Sequence, residues 1–233
     1  VRIDRTGQRG IFVTNSSDLR LTDVTITNTG TGGILFHTNS NGASLTRVSV
    51  NTTGNLGHGI AFFGNSTGAF LDTVTIQNTD ATGLFFNSGS NNARALNINI
   101  INARAGAIQV TGSNGVQLER AVIDQSAMTA GIQGVGVDAS NNVSLNDLQL
   151  QGKASLTALT ISNANNITIR TIRTSNWGVG YGLTGVATSI NAMSTGNTST
   201  NDTQTCDGTP DIGGGMLTVQ RTVGMVVTNV NCN

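Results

Sequence analysis

The sequence has few charged residues, one proline and few aromatic side chains. Only 10% of its 233 residues are charged, and 12 basic and 12 acidic side chains leave no net charge. An average soluble domain is about 25% charged, so a basic surface for nucleic acid and an acidic tail are both excluded. No apolar run approaches the roughly 18 residues of a membrane span. We therefore expect neither a nucleic-acid partner nor a membrane span.

Strong helix formers are also scarce, because the chain has a single Lys and a single Glu. Gly, Thr, Asn and Ser instead make up 110 of the 233 residues. Thr favours strands, while Asn and Gly favour turns. The hydrophobic content of 37% is enough for a core, so the composition predicts a folded all-β protein.

Both cysteines, Cys206 and Cys232, lie in the last 28 residues. They are either two free thiols or one disulfide, and the composition, which is typical of extracellular proteins, favours the disulfide. The sequence begins at Val1 without a basic and then apolar leader, so we interpret it as a mature or excised piece. We expect an extracellular location, or one on a cell or virion surface.

An apolar column recurs along most of the sequence at steps of 23 to 27 residues. Its members are Leu21, Leu45, Leu71, Ala95, Leu118, Leu145 and Ile169. Two further apolar columns follow three and five residues later in each period. Val1 and Ile3 fit these columns one period upstream of Val24 and Ile26, so we expect the sequence to begin inside a repeat. The period is lost after Thr174.

Each period contains three short pieces in which apolar and polar residues alternate, for example residues 10–13, 19–21 and 24–26. Each piece is long enough for a strand and too short for a helix. Leucine-rich and calcium-binding nonapeptide signatures are absent. The sequence therefore predicts a single-stranded parallel β-helix of about seven coils of about 24 residues. We assign residues 1–175 to the repeats and residues 176–233 to a C-terminal cap.

Asn and Gly recur at one bend of every coil, two residues before the strand that carries the first column. Because both residues tolerate left-handed backbone angles, they suit a sharp bend there. Stacked Asn side chains in successive coils would form a hydrogen-bonded ladder. The ladder residues are Asn41, Asn91, Asn114, Asn141 and Asn165.

In this winding the sequence resembles the right-handed β-helix family of pectate lyases, pectin lyases, polygalacturonases and phage tailspikes. The resemblance covers residues 1 to about 175 and implies a right-handed helix. It implies little about function, because one fold supports many activities.

Phe36, Phe62 and Phe86 share one interior column, which we interpret as a core stack rather than a ligand platform. In the tail, Trp177 and Tyr181 are placed either to cover the last coil or to form a sugar-binding platform. Met216–Val219 and residues 223–230 are expected to be closing strands.

The repeats offer little for catalysis. Their lengths leave no insertion large enough to wall a cleft, and no column has acidic residues on two consecutive coils, as a calcium site would need. We expect no metal and no cofactor. Two fragments, Asn78-Thr79-Asp80 and Gly57-His58-Gly59, are similar to polygalacturonase motifs, which makes His58 and Asp80 candidate catalytic residues. Their order is reversed relative to that family, and its Asp-Asp pair and Arg-Ile-Lys segment have no counterpart.

Two outward-facing columns are candidate contact surfaces. The first is a polar column suited to sugar hydroxyls, or simply to solubility, and contains Thr25, Ser49, Thr75, Asn99 and Gln149. The second is an apolar stripe of Phe12, Leu35, Ala61 and Phe85, which is expected to pack under the C-terminal segment or against another subunit in a homo-oligomer.

The leading hypothesis is a structural and recognition module, such as an adhesin stalk or tailspike-like module, that binds a polysaccharide or surface glycan. A polysaccharide lyase or glycoside hydrolase is the enzyme alternative. A self-assembling filament or coat subunit is the third.

Overall fold

The structure is a computed structural model that describes residues 1–128, 133–184, 190, 196–207 and 217–232. Its elements in chain order are the strands β1 (Arg2–Asp4), β2 (Arg9–Thr14), β3 (Arg20–Thr29), β4 (Gly32–His37), β5 (Ser44–Thr53), β6 (Ile60–Phe62), β7 (Phe70–Thr79), β8 (Thr82–Asn87), β9 (Arg94–Ala103), β10 (Gly106–Thr111), β11 (Gln117–Asp124), β12 (Gln133–Asp138), β13 (Ser144–Gln151), β14 (Thr157–Ser162), β15 (Thr168–Ser175), β16 (Val179–Thr184), β17 (Asn197–Thr200), β18 (Gln204–Asp207), β19 (Leu217–Val223) and β20 (Val226–Cys232). Within the described ranges, no helix is long and apolar enough to cross a membrane.

The strands form two sheets. Sheet A has the order β1-β3-β5-β7-β9-β11-β13-β15-β17-β19-β20, and sheet B has the order β18-β16-β14-β12-β10-β8-β6-β4-β2. Up to β19 the chain alternates between the sheets, and every neighbouring pair up to that strand is parallel. Each coil therefore contributes one strand to each sheet, which makes the chain a right-handed single-stranded parallel β-helix, as predicted.

The strand register confirms the apolar columns. Val24 pairs with Val48, and Val48 pairs with Val74, in successive coils of sheet A. The two strand pieces predicted on either side of Asp23 form one continuous strand, β3. That strand bends at a residue of positive φ, and the same bend recurs with φ between 52° and 59° at Asp23, Arg47, Thr73, Asn97, Arg120, Asp147 and Thr171. Left-handed backbone angles are unfavourable for residues other than glycine. We attribute their recurrence at this bend to strand pairing with the coils above and below.

The interior phenylalanines form the predicted stack. The rings of Phe36 and Phe62 are 4.8 Å apart and nearly parallel, and Phe62 and Phe86 are 5.3 Å apart. All three side chains are fully buried. They are core residues, so they are not available as a ligand platform.

The predicted Asn ladder is present, with a hydrogen-bond pattern different from the expected stacking of amides. The side-chain oxygens of four of the five predicted residues, Asn41, Asn91, Asn114 and Asn141, accept from a backbone N–H of the next coil. Asn91 accepts from Asn114 at 2.7 Å, Asn114 from Asn141 at 2.7 Å, and Asn141 from Asn165 at 3.0 Å. Asn41 accepts from the backbone N–H of Thr67 at 2.9 Å.

A second Asn ladder, which was not predicted, lies on the turn that joins sheet A to sheet B. Asn78 Nδ2 donates to Asn51 Oδ1 at 2.9 Å, and Asn102 Nδ2 donates to Asn78 Oδ1 at 3.3 Å. This turn therefore carries a row of amide side chains on the outside of three successive coils.

The parallel winding continues beyond residue 175, where the sequence period ends. β16 pairs with β14, and β17 pairs with β15, both in parallel. Trp177 and Tyr181 are fully buried between these coils. Trp177 Nε1 donates to Leu150 O, and the Tyr181 hydroxyl donates to Ile172 O. Neither ring can be a platform for a sugar, because neither is exposed.

The C-terminal end closes with an antiparallel pair, in which β20 folds back on β19. The predicted disulfide between Cys206 and Cys232 is present, with the two Cα atoms 5.6 Å apart, and it ties β20 to β18. The predicted closing strands therefore form, although Met216 lies outside the described residues.

A buried carboxylate replaces apolar packing in the last coils. Asp202 is 3% exposed. Its Oδ1 accepts from the backbone N–H of Trp177 at 2.8 Å, and its Oδ2 accepts from the hydroxyls of Thr174 and Ser199. Buried polar groups are tolerated when each has a partner, so Asp202 is what allows polar residues into this part of the core.

Replacing Asp202 with Ala should destabilise the C-terminal coils, because it leaves the Trp177 N–H and the Ser199 hydroxyl without their acceptor and leaves the Thr174 hydroxyl only the longer bond to Thr198 O. A buried polar group without a partner costs roughly 1–3 kcal/mol, so we expect a loss of about 3 kcal/mol in the free energy of unfolding. Urea titration followed by circular dichroism measures it. Asp72→Ala is the control, since Asp72 accepts from Asn97 at the surface, and it should change stability by at most about 0.5 kcal/mol. Equal effects of the two substitutions would contradict the role of Asp202 as a stabilising buried acceptor.

Candidate binding groove

One turn between sheet A and sheet B is longer than its neighbours. Seven positions separate Thr53 from Ile60, whereas five separate the aligned residues Thr29 and Ile34 of the preceding coil. The two extra residues lengthen this turn into the 54–59 loop, in which Leu56 is 74% exposed. The extra length is thus accommodated in a turn, which can project outward without disrupting the strand pairing of sheet A or sheet B.

Two hydrogen bonds and one close backbone approach hold the 54–59 loop in place. The backbone N–H of Leu56 donates to Asp80 Oδ2 at 2.8 Å, and the Thr53 hydroxyl donates to Gly57 O at 2.6 Å. A Cβ at Gly57 would lie 2.4 Å from Thr31 O, so a side chain there would push the loop away from the coil below. The loop is therefore docked on both neighbouring coils.

Close packing likewise requires a glycine at position 59, since a Cβ there would lie 2.4 Å from the side chain of Ile76 in the core. The two glycines around His58 are thus explained by close packing. Their similarity to a polygalacturonase motif needs no catalytic explanation.

A groove of about 510 Å³ lies beside the 54–59 loop on the outer face of sheet B. Its main lining residues are Arg9, Leu35, Leu56, His58, Ala61 and Phe63, and Thr31, His37 and Asn55 also contribute. The expectation that the repeats leave no room for a walled cleft is therefore wrong. Two extra residues are enough, because the groove is shallow and the sheet supplies its floor.

The floor of the groove is part of the predicted apolar stripe. The register aligns Phe12, Leu35, Ala61 and Phe85 in four successive strands, as expected. Phe12 is 56% exposed, whereas Ala61 is buried. The described part of the C-terminal segment does not cover this stripe, because β18 lies at the opposite end of sheet B from β2. Association with another subunit through the stripe stays a prediction.

Aromatic rings stand on two sides of this floor. On one side, Phe63 and Phe85 meet edge to face at 5.2 Å, and the His58 ring is 5.1 Å from Phe85. On the other, the Arg9 guanidinium lies 5.5 Å from the centroid of Phe12. Such edge contacts and cation–π contacts fix ring orientation, so the walls of the groove are largely preformed.

His58 is half-buried and faces the groove as a neutral imidazole. Burial lowers its pKa below the usual 6.5, and the Arg9 charge lowers it further. The Thr82 N–H donates to His58 Nδ1 at 3.3 Å. Since Nδ1 is the acceptor, the proton of the neutral ring lies on Nε2, and His58 offers the groove a hydrogen-bond donor.

Asp80, the other candidate catalytic residue, lines a different depression. The backbone N–H of Leu56 and the guanidinium of Arg104 hold the pKa of Asp80 below its usual value. Among the described contacts no hydrogen bond joins Asp80 to His58, and Asp80 Oδ1 accepts from Arg104 at 2.8 Å. A catalytic role for the pair stays a prediction.

The depression at Asp80, here called the saddle, has a volume of about 470 Å³. Its lining residues include Gly54, Asn78, Asp80, Asn102, Arg104 and Met128. The 54–59 loop separates it from the groove, because Gly54 lines the saddle while Asn55 and Leu56 line the groove.

The predicted polar binding column lies on the outer face of sheet A. The register aligns its residues, Thr25, Ser49, Thr75, Asn99 and Gln149, in the same row as Val122. Gln149 and Val122 line a shallow depression of about 350 Å³. Binding by this column stays a prediction. No group of three His, Cys, Asp or Glu side chains suited to a metal ion occurs in the described part of the chain.

Sequence reasoning missed Phe63, Arg9 and the 54–59 loop as parts of a site. The coil length could have indicated the loop, because the coil from Leu45 to Leu71 has 26 residues, whereas the coils on either side have 24. The double Phe62-Phe63 also indicated that one ring faces in and the other out, because side chains alternate along a strand.

No protein-family model matches the sequence, and none of the curated proteins matches it. Among solved structures, the periplasmic alginate epimerase AlgG superposes with a TM-score of 0.60 at 15% identity, covering 95% of this chain and 50% of AlgG. Tailspike protein 2 of the Escherichia coli O157:H7 bacteriophage CAB120 gives a TM-score of 0.51 at 10% identity, covering 97% and 39%. The Agl-KA catalytic domain gives 0.50 at 13% identity, covering 92% and 46%.

The chain thus spans half or less of the length of these structures. At such low identity the likeness shows the fold alone, which is that of the pectate-lyase-like β-helix proteins.

The lowered pKa of His58 predicts a pH effect on stability. Because the unfolded chain takes up this proton before the folded one, the stability from neutral His58 is present above pH 6.5 and is lost as the pH falls through the folded pKa. Urea midpoints at pH about 7.5 and about 5.5 should therefore differ more for the wild type than for His58→Gln. His37→Gln, at the exposed histidine across the groove, should keep the wild-type difference. An unchanged difference in His58→Gln would contradict the prediction.

Proposed function

We propose that this chain is a secreted or surface-exposed β-helix that binds a glycan in the groove beside the 54–59 loop, as an adhesin-like or tailspike-like recognition module. The observation that supports this proposal is the combination of an apolar floor, aromatic walls and a few fixed polar groups in one preformed depression. Binding sites for small organic ligands have this composition.

A sugar ring has an apolar face of C–H groups and a rim of hydroxyls, and the groove offers partners for both. Leu35 and Ala61 give a flat apolar floor, and Phe63 gives a ring at its side. His58 Nε2 offers a donor, while Asn55 offers both a donor and an acceptor.

The named neighbours support a carbohydrate ligand. The fold is shared with a protein named as an alginate epimerase and with a phage tailspike protein. The disulfide between Cys206 and Cys232 supports an oxidising, extracellular setting.

The contacts favour binding over catalysis. A general base at His58 would need a free lone pair, but Nδ1 already accepts the Thr82 N–H and Nε2 carries the proton. The two carboxylate oxygens of Asp80 already accept hydrogen bonds from the Leu56 N–H and from Arg104. Hydrolysis or lyase chemistry is therefore the weaker alternative, and nothing in the described contacts favours a filament.

A panel of immobilised neutral and acidic oligosaccharides tests the proposal, with binding measured by fluorescence of the labelled protein. Leu35→Glu places a charge on the groove floor and should reduce binding at least tenfold. Phe63→Ala should also weaken binding, because it removes one wall.

Val122→Glu is the matched control, since Val122 faces outward from sheet A and is similarly apolar and 46% exposed. Its binding should equal that of the wild type. If Leu35→Glu binds normally while Val122→Glu does not, the glycan lies on sheet A and the groove assignment is wrong. If the wild type binds none of the panel, glycan binding itself is contradicted.

A further inference from the structure

The saddle differs from the groove in chemistry. Where the groove has an apolar floor, the saddle presents Asn78, Asp80, Asn102 and Arg104 on two adjacent turns. Gly54 of the 54–59 loop stands on one side, and Ala127 and Met128 stand on the other. Its floor is therefore mostly polar and open to solvent.

Arg104 and Asp80 form the centre of this floor. Arg104 Nη1 donates to Asp80 Oδ1 at 2.8 Å, and the Arg104 side chain is still 61% exposed. A guanidinium has five N–H donors and a carboxylate has about four acceptor positions. The ion pair and the Leu56 N–H use only part of this capacity, so both side chains retain groups that can bond a further molecule.

The neighbouring amides extend the polar surface. Asn78 accepts from Asn102 and donates to Asn51, which holds both side chains in a fixed orientation. Asn102 Oδ1 is itself buried, so the groups open to a ligand are those of Arg104 and Asp80. The donors of Arg104 and the acceptors of Asp80 lie side by side on the floor, which is the arrangement that pairs of hydroxyls on one sugar ring require.

We propose that the saddle is a second subsite of the same glycan-binding surface and takes a neutral sugar residue through its hydroxyls. The inference rests on the proposed glycan binding. A neutral ring is favoured over a uronate because Asp80 already neutralises Arg104 and would repel a second carboxylate at close range. In the groove, by contrast, Arg9 is the charged residue among the lining side chains.

The two depressions are offset along the helix axis. The groove lies over β4 and β6, and the saddle lies over the turns that follow β7 and β9. Their centres are therefore separated by about two ladder spacings, roughly 10 Å along the axis. A single sugar cannot fill both, so the surface would select an oligosaccharide that crosses the 54–59 loop.

The test uses small probes that do not depend on the identity of the natural glycan. Methyl glycosides of glucose, galactose and mannose, and sodium glucuronate, are titrated into the isotopically labelled protein while backbone amide shifts are recorded by NMR. At least one neutral glycoside should shift the amides of Asn78, Asn102 and Arg104, and glucuronate should shift them less.

Arg104→Gln should weaken the neutral glycoside at the saddle by about fivefold, the effect of losing a hydrogen bond from a charged donor. Arg94→Gln is the matched control, since Arg94 is an exposed arginine paired with Glu119 outside the saddle. It should leave the saddle shifts unchanged.

The outcomes separate this inference from the proposed function. Shifts at His58 and Phe63 without shifts at the saddle would overturn the second subsite and leave glycan binding in place. Glucuronate acting on the saddle as strongly as the neutral glycosides would overturn the choice of a neutral sugar. If no probe and no panel oligosaccharide acts on either depression, both proposals are wrong.

Discussion

The constraint on which the rest of the structure depends is the in-register stacking of successive coils. Parallel pairing places each residue about 4.8 Å above its counterpart in the coil below. Like side chains are therefore stacked on like, which produces the Phe36–Phe62–Phe86 column and the Asn91–Asn114–Asn141 ladder. It also holds Arg47 and Thr73 at left-handed backbone angles, since the ladders on either side leave the chain no other path. A coil can change length only at a turn.

The candidate site follows from that restriction. Two extra residues between Thr53 and Ile60 cannot enter a ladder, so they project as the 54–59 loop and create a groove on one side and the saddle on the other. Asp80 links the two, because one of its oxygens holds the loop through Leu56 and the other holds Arg104. Sequence similarity made Asp80 a candidate for catalysis, whereas the contacts give it a positioning role between two surfaces.

Most of the fold could be predicted from the sequence because the stacking repeats the same apolar residues at the same places. The winding beyond residue 175 could not be predicted in this way, because Ser199 occupies the core position above Thr174 and both bond the buried Asp202. A hydrophobic pattern cannot reveal a core position filled by a satisfied polar network. The groove was missed for a related reason: Arg9 lies about 50 residues before His58 and Phe63 in the sequence, and it joins them only once three coils are stacked.

In this structure the 54–59 loop builds the proposed binding surface, because it bounds both the groove and the saddle. Deleting Asn55 and Leu56 together tests it most directly, because this restores the turn to the length found in the preceding coil. The deletion variant should keep the circular dichroism spectrum and the disulfide of the wild type and should lose binding to every oligosaccharide that the wild type binds. A deletion variant that folds and binds those oligosaccharides with unchanged affinity would contradict it.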